Sequence, residues 1–333
     1  MDSSGSLAAL LDAFEEPTLI VRLGLVDLAN RAARALLGEA IAGRDLRLAI
    51  RHPLALETIQ AGRTAEVQLA GIGAADRPWR LAVSPIGIAG TLVRLYDRSP
   101  LESAERTRTD FVANASHELR TPLATIIGYA ETLAEPGAIG EEMRERFGAT
   151  IQVEARRMLR IVEDLMSLSR IEAERYRAPG EQVDLGEVIR IAIDHAAGLA
   201  ERRGCRIEAM IAADPPLMRG DFAQLLQLAD NLIANAVRYG CTMTSCTIFV
   251  SLYVEGERLQ LAVRDEGDGI APEHLPRLTE RFYRVDSARS RESGGTGLGL
   301  AIVKHIVERH RGVLDIRSTP GNGTEAIVTM PLS

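Results

Sequence analysis

A heptapeptide, Ser116-His117-Glu118-Leu119-Arg120-Thr121-Pro122, places an imidazole next to a carboxylate and one helical turn before a hydroxyl. In a helix Thr121 is expected beside His117, and Glu118 lies about 100° round the helix but within reach of the ring. A histidine near neutral pH can act as a nucleophile. An isolated helical histidine more often packs or faces solvent, so a nucleophilic role for His117 requires a matching donor elsewhere in the chain.

A pair of asparagines is the first candidate for that donor site. Asn231 and Asn235 are one turn apart on the same face of a predicted helix, and Arg238 and Tyr239 follow them. Two carboxamide oxygens can ligate a hard cation such as Mg²⁺, which prefers oxygen ligands and usually retains water and substrate phosphates. Alone the pair is weak evidence, because asparagines often cap helices or face solvent.

An acidic, glycine-containing segment, Asp265-Glu266-Gly267-Asp268-Gly269-Ile270, follows a strand pattern over Leu259 to Arg264. It places a carboxylate where the backbone turns tightly. Asp265 can accept a hydrogen bond from an exocyclic amine such as that of adenine. An acidic surface turn is the alternative interpretation.

A second glycine-rich segment, Gly294-Gly295-Thr296-Gly297-Leu298-Gly299-Leu300, precedes an apolar helical pattern. Such a turn aims the free N–H groups of a helix N-terminus at an anion, which predicts a phosphate cradle. It matches neither the mononucleotide loop that ends in Gly-Lys-Ser/Thr nor the dinucleotide fingerprint.

The elements that must position these residues fall into three predicted regions, with boundaries at 1–98, 101–175 and 183–333. In the first, strand patterns over 18–22, 25–28, 67–70, 79–83 and 91–96 indicate a small antiparallel sheet with helices on one face. Helical apolar spacing over 101–133 and 141–173, separated by Glu135-Pro136-Gly137-Ala138, predicts a helical hairpin. Helices alternating with strands over 183–333 indicate a mixed α/β layer.

Two helix starts are predicted in this last region. Asp184 with Glu187 resembles a capping box that opens one helix, and Gly220-Asp221 opens another that runs to Tyr239.

Composition excludes several classes of protein. The 333 residues carry a net charge of -7, so there is no sequence-wide basic footprint and nucleic acid is not an expected partner. The short arginine clusters Arg156-Arg157 and Arg202-Arg203 are interpreted as solvated helix surface. Three cysteines are too few for a disulfide framework, so reduced thiols are expected, and the Cys241/Cys246 spacing is a weak metal signal.

No apolar run reaches the roughly 20 residues that a membrane span needs, and no signal peptide is visible. We therefore expect a cytoplasmic chain, or the soluble portion of a membrane-anchored sensor. A lone hairpin would leave an apolar stripe exposed, which two copies bury by forming a four-helix bundle. A homodimer is predicted.

Together these motifs resemble the sensor histidine kinases. The resemblance is carried by several segments and their order along the chain. These are Phe111 to Pro122, the helix with Asn231 and Asn235, the two glycine-containing segments at 265–270 and 294–300, Arg281-Phe282-Tyr283-Arg284, and the late turn Gly321-Asn322-Gly323-Thr324. The resemblance covers about 101–331, and Phe282 to Leu300 is most similar to phosphate-regulon sensor kinases. Asn30-Arg31-Ala32 and Leu37-Gly38, which open and close a helix in the first region, resemble a PAS sensor domain. The chain is thus predicted to be an α+β multidomain protein: a PAS-like domain, a dimerisation and phosphotransfer hairpin, and an α/β-sandwich Bergerat-type ATP-binding domain.

The resemblance implies that His117 is the phosphoacceptor and that Glu118 orients or deprotonates it. Asn235 and Asn231 would hold Mg²⁺, and Asp265 would bind the adenine amine. The implied nucleotide contacts are Asn231, Asn235, Arg238, Tyr239, Asp265, Gly267, Gly269, Phe282, Gly295, Thr296, Gly297, Leu298, Gly299 and Thr324. Arg238 would contact phosphate, Tyr239 would pack near the base, and Phe282 to Thr296 would form a lid over ATP. One departure from the family pattern is Gly240 to Cys246, which replaces a Pro/Gly-rich connection.

The implied reaction passes the γ-phosphoryl group of ATP to His117 and then to an aspartate of a separate response regulator. Residues 175–182 would be the hinge that lets the ATP domain swing towards the hairpin. Thr121 suggests a second, phosphatase activity towards the regulator. Two alternatives stay open: an ATP hydrolase or ATP-driven clamp of the same nucleotide fold, and a degenerate kinase that acts as a scaffold. The hydrolases carry a water-activating glutamate where this chain has Asn231, which cannot act as a general base near pH 7.

Overall fold

The computed structural model describes residues 3–73, 76–135, 137, 140–174, 177–240, 246–285 and 295–332. Contacts divide the chain into two compact units, 1–110 and 111–333. Within the part of the chain that the structure describes, no helix combines the length and the apolar character needed to cross a bilayer.

The first unit contains a five-stranded antiparallel sheet and short helices. Helix α1 (Ser3–Leu11) precedes the hairpin of β1 (Thr18–Arg22) and β2 (Leu25–Ala29), and α2 (Arg31–Leu37) and α3 (Pro53–Gln60) lead to β3 (Ala65–Ala70), β4 (Pro78–Pro85) and β5 (Thr91–Asp97). The strand order is β2-β1-β5-β4-β3. Asn30 caps α2, because its Oδ1 accepts hydrogen bonds from the N–H of Ala33 and of Thr18, both at 2.9 Å. The predicted helix start at Asn30 is therefore confirmed, as is the small antiparallel sheet.

Two long helices form the predicted hairpin. Helix α4 (Ser99–Ala134) contains Pro122, and α5 (Glu141–Ala173) has the predicted bounds. Near the connection the rings of Tyr129 and Phe147 are 4.6 Å apart, and further away Glu118 pairs with Arg157, so the helices run antiparallel. Apolar side chains nevertheless stay exposed on both helices, namely Leu123, Ile127, Val153, Leu159, Val162 and Met166. This exposed stripe is the one that a second hairpin would cover.

The α/β region packs three helices with a mixed sheet. The helices are α6 (Leu185–Arg203), α7 (Phe222–Tyr239) and α8 (Gly299–Arg309). The strands are β7 (Cys205–Ile211), β9 (Cys246–Glu255), β10 (Arg258–Arg264), β11 (Val313–Ser318) and β12 (Thr324–Pro331), in the order β11-β12-β10-β9-β7. Only the β7–β9 pair of this sheet is parallel. Short strands β6 (Glu181–Val183) and β8 (Met218–Gly220) pair separately, and the helices bury their apolar faces in one core with the sheet.

Carboxylate caps fix where α6 and α7 begin. Asp184 Oδ1 accepts hydrogen bonds from the N–H groups of Gly186 and Glu187, and Asp221 Oδ1 accepts one from Gln224. Each cap satisfies N–H groups that the first helical turn leaves without an intrahelical partner. Both helix starts agree with the sequence prediction. The cap of α7 fixes the residue at which the helix that carries Asn231 and Asn235 begins.

For Cys205 and Cys246 the expectation of reduced thiols is not met in the structure. Cys205 and Cys246 are register partners on the parallel strands β7 and β9, their Sγ atoms are 3.0 Å apart, and neither is a free thiol. The weak metal signal in the sequence was the spacing of Cys241 and Cys246, and Cys241 lies outside the described residues. Only the parallel register brings Cys205, 41 residues earlier, next to Cys246.

Candidate functional site

A cavity of about 670 Å³ brings most of the predicted site residues together. Helix α7 supplies one side and the glycine-rich turn before α8 another. The sequence-predicted residues that line it are Asn231, Asn235, Arg238, Tyr239, Asp265, Gly269, Gly295, Thr296, Gly297, Gly299 and Thr324. Residues from α5, which the sequence analysis did not assign to this site, line the same cavity: Arg160, Glu163 and Asp164.

The asparagine pair on α7 faces the glycine-rich turn. A Cβ built on Gly299 would lie 3.0 Å from Asn231 Oδ1 and 3.8 Å from Asn235 Nδ2, so a side chain at this position would crowd Asn231. The buried Nδ2 of Asn231 has no hydrogen-bond partner among the described residues. No cluster of three or more His, Cys, Asp or Glu side chains capable of holding a metal occurs in the described part of the chain. Amide oxygens beside a turn with free N–H groups fit Mg²⁺, which usually takes its remaining ligands from water and phosphate.

Two hydrogen bonds hold Asp265 at the start of the first glycine-containing segment. Its Oδ1 accepts hydrogen bonds from the N–H groups of Gly267 at 2.9 Å and Thr324 at 3.1 Å. Burial raises the pKa of the Asp265 carboxyl, and these two hydrogen bonds act in the opposite direction. Its other oxygen, Oδ2, makes no hydrogen bond to the described residues, which leaves it available to a ligand in the cavity.

Glycines allow three backbone segments to meet around Asp265. A Cβ on Gly269 would lie 2.1 Å from the carbonyl oxygen of Thr319, and one on Gly323 would lie 2.0 Å from the carbonyl oxygen of Asp265. Both glycines have positive φ angles, of 68° and 78°. Gly267 is similarly confined, since its Cβ would lie 2.8 Å from the Cα of Gly240. These glycines shape the pocket by close approach as well as by backbone conformation.

The turn before α8 presents an uncapped helix N-terminus. No side chain of the described residues caps α8, and its first turn contributes the N–H groups that an anion can bind. Gly297 (φ 73°) accepts a hydrogen bond through its carbonyl from the N–H of Phe282 at 2.8 Å. Thr296 Oγ1 donates to Asp164 Oδ2 of α5 at 2.7 Å and accepts from the N–H of Leu298 at 3.3 Å. The glycine-rich turn is therefore tied to the hairpin.

Residues 286–294, which include Gly294 and most of the predicted lid, lie outside the described residues. Phe282, at the start of that segment, has a φ of 63° and packs against Phe111 of α4, with ring centroids 5.9 Å apart. It does not line the cavity. Arg281 forms an ion pair with Glu172 at the end of α5.

His117 lies on the exposed surface of α4 and is not part of the cavity wall. Thr121 is one turn later, and its hydroxyl donates to the backbone carbonyl of His117 at 3.3 Å. The carboxylate of Glu118 is engaged elsewhere: its Oε2 is 2.9 Å from Arg157 Nη2 and 3.6 Å from Arg284 Nη1. The side chains of both arginines are only 8% exposed.

Sequence reasoning also missed Arg157, which contacts Glu118 beside His117. The Arg156-Arg157 pair was interpreted as solvated surface, which holds for Arg156 but is wrong for Arg157, since Arg157 is buried. One signal was available: Arg157, Ile161, Leu168 and Ile171 recur at helical spacing, and all four are buried in α5. A charged residue on an apolar helical stripe is expected to have a specific partner.

Comparison with known proteins identifies two family models. Residues 107–174 match the His Kinase A (phospho-acceptor) domain, and residues 220–333 match the Histidine kinase-, DNA gyrase B-, and HSP90-like ATPase. The matched ranges contain His117 and the asparagine and glycine residues of the cavity.

Curated relatives cover nearly the whole chain. The phosphate regulon sensor protein PhoR of Pseudomonas aeruginosa is 35% identical over 332 residues, which span 96% of this chain and 74% of that protein. The sensor-like histidine kinase SenX3 of Mycobacterium tuberculosis is 32% identical over 331 residues, spanning 99% and 76%. Among solved structures, full-length ShkA in complex with AMPPNP has a TM-score of 0.50 at 26% identity, covering 69% of this chain and 46% of that one.

Proposed function

Because this chain belongs to the sensor histidine kinases, we propose that His117 accepts the γ-phosphoryl group of ATP bound in the cavity between α7 and α8. The enzyme is an ATP-dependent protein-histidine kinase of a two-component system and uses ATP with Mg²⁺. One observation carries the residue assignment: Asn231, Asn235, Asp265 and the turn before α8, although distant in sequence, line a single cavity.

Each group in the cavity has a role that its geometry supports. The Oδ2 of Asp265, left without a protein donor, accepts a hydrogen bond from the adenine amine. The N–H groups at the start of α8 and the guanidinium of Arg238 bind the phosphates. Asn235 and Asn231 hold Mg²⁺, which supplies charge neutralisation to the phosphates. Since phosphoryl transfer depends mainly on alignment and charge stabilisation, these roles account for most of what the donor site must provide.

The acceptor site on α4 has a different construction. His117 is exposed, as a group that must receive a phosphoryl from ATP and later meet a response regulator should be. Glu118 is the neighbouring acid that orients the imidazole or takes its proton, and Arg157 restricts where that acid can lie. His117 lies outside the cavity wall, so the α/β region must move relative to α4 for transfer, and residues 175–182 are the proposed hinge.

Hydrolysis of ATP by water is the rival function. It would require a general base beside the metal site, and the position one turn before Asn235 is occupied by Asn231, whose amide cannot remove a proton near pH 7. Transfer to His117 is therefore preferred. The presence of every expected ligand type also argues against a degenerate kinase that acts only as a scaffold.

We also propose a homodimer, three domains and a second activity for this chain. The exposed apolar stripe on α4 and α5 supports a homodimer formed through the hairpin. The sheet of residues 18–97 supports a PAS-like sensor domain over 1–98, followed by the hairpin at 101–175 and the ATP-binding domain at 183–333. Dephosphorylation of the response regulator with the help of Thr121 is a second proposed activity.

The central test is incubation of the full chain with Mg²⁺ and γ-labelled ATP. Label should be acid-labile and alkali-stable, as expected of phosphohistidine, and should be absent from His117→Gln. A second variant, Asn235→Asp, still contains His117 but should be labelled more slowly than the wild type. Acid-stable label, or label that persists in His117→Gln, would contradict the proposal.

A further inference from the structure

Four arginines line the nucleotide cavity: Arg284, which pairs with Glu118, and three others that come from three different helices. Arg160 comes from the hairpin helix α5, Arg203 from the last turn of α6, and Arg238 from the last turn of α7. Arg203 and Arg238 are adjacent, because Arg203 Nη1 donates to the backbone carbonyl of Arg238 at 3.4 Å. The family resemblance assigned a role only to Arg238.

Among the described residues these three arginines form no ion pair within 4.0 Å, and the nearest opposing charge named for Arg160 and Arg238 is that of Asp164. Four acids line the same cavity, Glu163, Asp164, Asp265 and Asp268, but none lies within 4.0 Å of the guanidinium groups of Arg160, Arg203 or Arg238 among the described residues. Asp164 is hydrogen-bonded to Thr296, and Asp265 to the N–H groups of Gly267 and Thr324. Burial, and next the charge of Arg160, lower the pKa of Arg238.

Neighbouring cations in a partly buried cavity repel one another unless an anion lies between them. Guanidinium groups are well suited to phosphate, because their planar N–H donors can bind its oxygens in pairs. A chain of two or three phosphates carries enough charge to satisfy several arginines at once. The arrangement therefore fits a polyphosphate better than a single carboxylate.

We propose that Arg160 of the hairpin binds the polyphosphate of the nucleotide together with Arg203 and Arg238. The proposal rests on the assignment of this cavity to ATP and goes beyond it, since it makes the hairpin part of the nucleotide site. A bound nucleotide then connects α5 to α7 and α8 through its phosphates. It stabilises the arrangement in which the α/β region contacts the hairpin, next to the existing Asp164–Thr296 hydrogen bond.

The test compares the binding of ADP and adenosine to the full chain by isothermal titration calorimetry. Arg160→Gln should weaken ADP binding about tenfold while adenosine binding stays unchanged, since adenosine lacks phosphates. Arg203→Gln should act in the same direction, and the double variant should be weaker than either single one. Arg156→Gln is the matched control, because Arg156 is an exposed arginine on the same helix and does not line the cavity.

Inorganic pyrophosphate provides a second readout. It should compete with ADP in the wild type and compete less well in Arg160→Gln. Equal ADP affinity of Arg160→Gln and Arg156→Gln would overturn the proposal, and so would an equal loss of ADP and adenosine binding, which indicates a distorted pocket. Failure of the wild type to bind ADP or to label His117 would instead contradict the proposed function, so the two failures are distinguishable.

Discussion

Arg157 of α5 donates a hydrogen bond of 2.9 Å to Glu118 of α4, the residue next to the exposed His117. The Arg157 side chain is buried, and Glu154, one turn earlier on α5, is its other acidic neighbour at 4.0 Å. A carboxylate held by a buried guanidinium has a fixed position, whereas a free glutamate on a helix surface samples several rotamers. Arg157 is therefore a positioning residue for Glu118, the acid proposed to serve His117.

Replacing Arg157 should slow labelling of His117 without changing the affinity for ATP. We expect Arg157→Gln to reduce the autophosphorylation rate about tenfold, through loss of Glu118 orientation, and to lower the free energy of unfolding by about 2 kcal/mol. Arg157→Lys, which keeps a charged donor, should recover part of the rate. Rates at saturating ATP measure the first effect, urea denaturation measures the second, and Arg156→Gln is the control. A raised KM for ATP with an unchanged maximal rate would show that Arg157 does not act through Glu118.

The glycine at 323 should be indispensable to the adenine pocket. A Cβ there would lie 2.0 Å from the carbonyl oxygen of Asp265, so Gly323→Ala must push Asp265 away from the turn that supplies the Thr324 N–H. We expect adenosine affinity to fall by a factor of about 10 or more. Gly321→Ala is a close control, since Gly321 has a similar φ of 83° but no atom within 4 Å of its Cβ position. Equal adenosine affinities of the two variants would mean that backbone strain, not the close approach, matters.

Removing the charge of Asp164 should strengthen nucleotide binding. Its carboxylate lines the cavity proposed to receive the phosphates. Burial raises the pKa of Asp164, and the Thr296 hydrogen bond and the charges of Arg238 and Arg160 act in the opposite direction. Asp164→Asn keeps an oxygen that can accept the Thr296 hydrogen bond. We expect ADP to bind about threefold more tightly and adenosine to bind as in the wild type. Calorimetric titration with ADP and with adenosine measures the two affinities. Weaker ADP binding by Asp164→Asn would show that the charge of Asp164 favours nucleotide binding.

Local sequence patterns were sufficient for most of the fold and of the donor site. The bounds of α5, the caps at Asp184 and Asp221, and the end of α7 at Tyr239 all follow from apolar periodicity and short-range hydrogen bonds. Asn231 and Asn235 share a helix face for the same reason. Such features depend on residues only a few positions apart.

Features that depend on how distant segments meet could not be read in this way. Thr296 and Asp164 are 132 residues apart, and Cys205 reaches Cys246 only because β7 and β9 pair in parallel. Arg157 was misassigned because two adjacent arginines resemble an exposed charge cluster, although the side chains at 156 and 157 lie on different parts of the helix surface. Which helix side is covered is decided by tertiary packing, not by local spacing.

Thr121 offers a way to separate the two proposed activities. Its hydroxyl is exposed and bonds only to the His117 carbonyl of its own helix among the described residues, so its loss should hardly disturb α4. We expect Thr121→Ala to keep autophosphorylation within about twofold and to lower regulator dephosphorylation about tenfold. Release of phosphate from a labelled response regulator measures the second effect, and Thr125→Ala, one turn later on α4, is the control. Equal dephosphorylation rates of wild type and Thr121→Ala would reject a phosphatase role.

The buried His310 should make the stability of the α/β region depend on pH. Its Nε2 accepts a hydrogen bond from the N–H of Asp221 at 3.0 Å, and its Nδ1 donates to the carbonyl of Ile306 at 2.8 Å, so the neutral ring satisfies both partners. Burial lowers the pKa of His310 below its ordinary value of 6.5. The folded state thus binds this proton less readily than the unfolded state. The contribution of the neutral His310 ring to the free energy of unfolding is complete above pH 6.5 and is lost as the pH falls below it.

Urea unfolding midpoints should therefore decrease between pH 7.5 and 5.5, and the decrease should be smaller in His310→Gln. His305 has a pKa lowered by burial as well, so His305→Gln should remove a further part of the decrease, whereas His52→Gln in the first unit is the control. An identical pH dependence in wild type and His310→Gln would show that protonation of His310 does not limit the stability of this region.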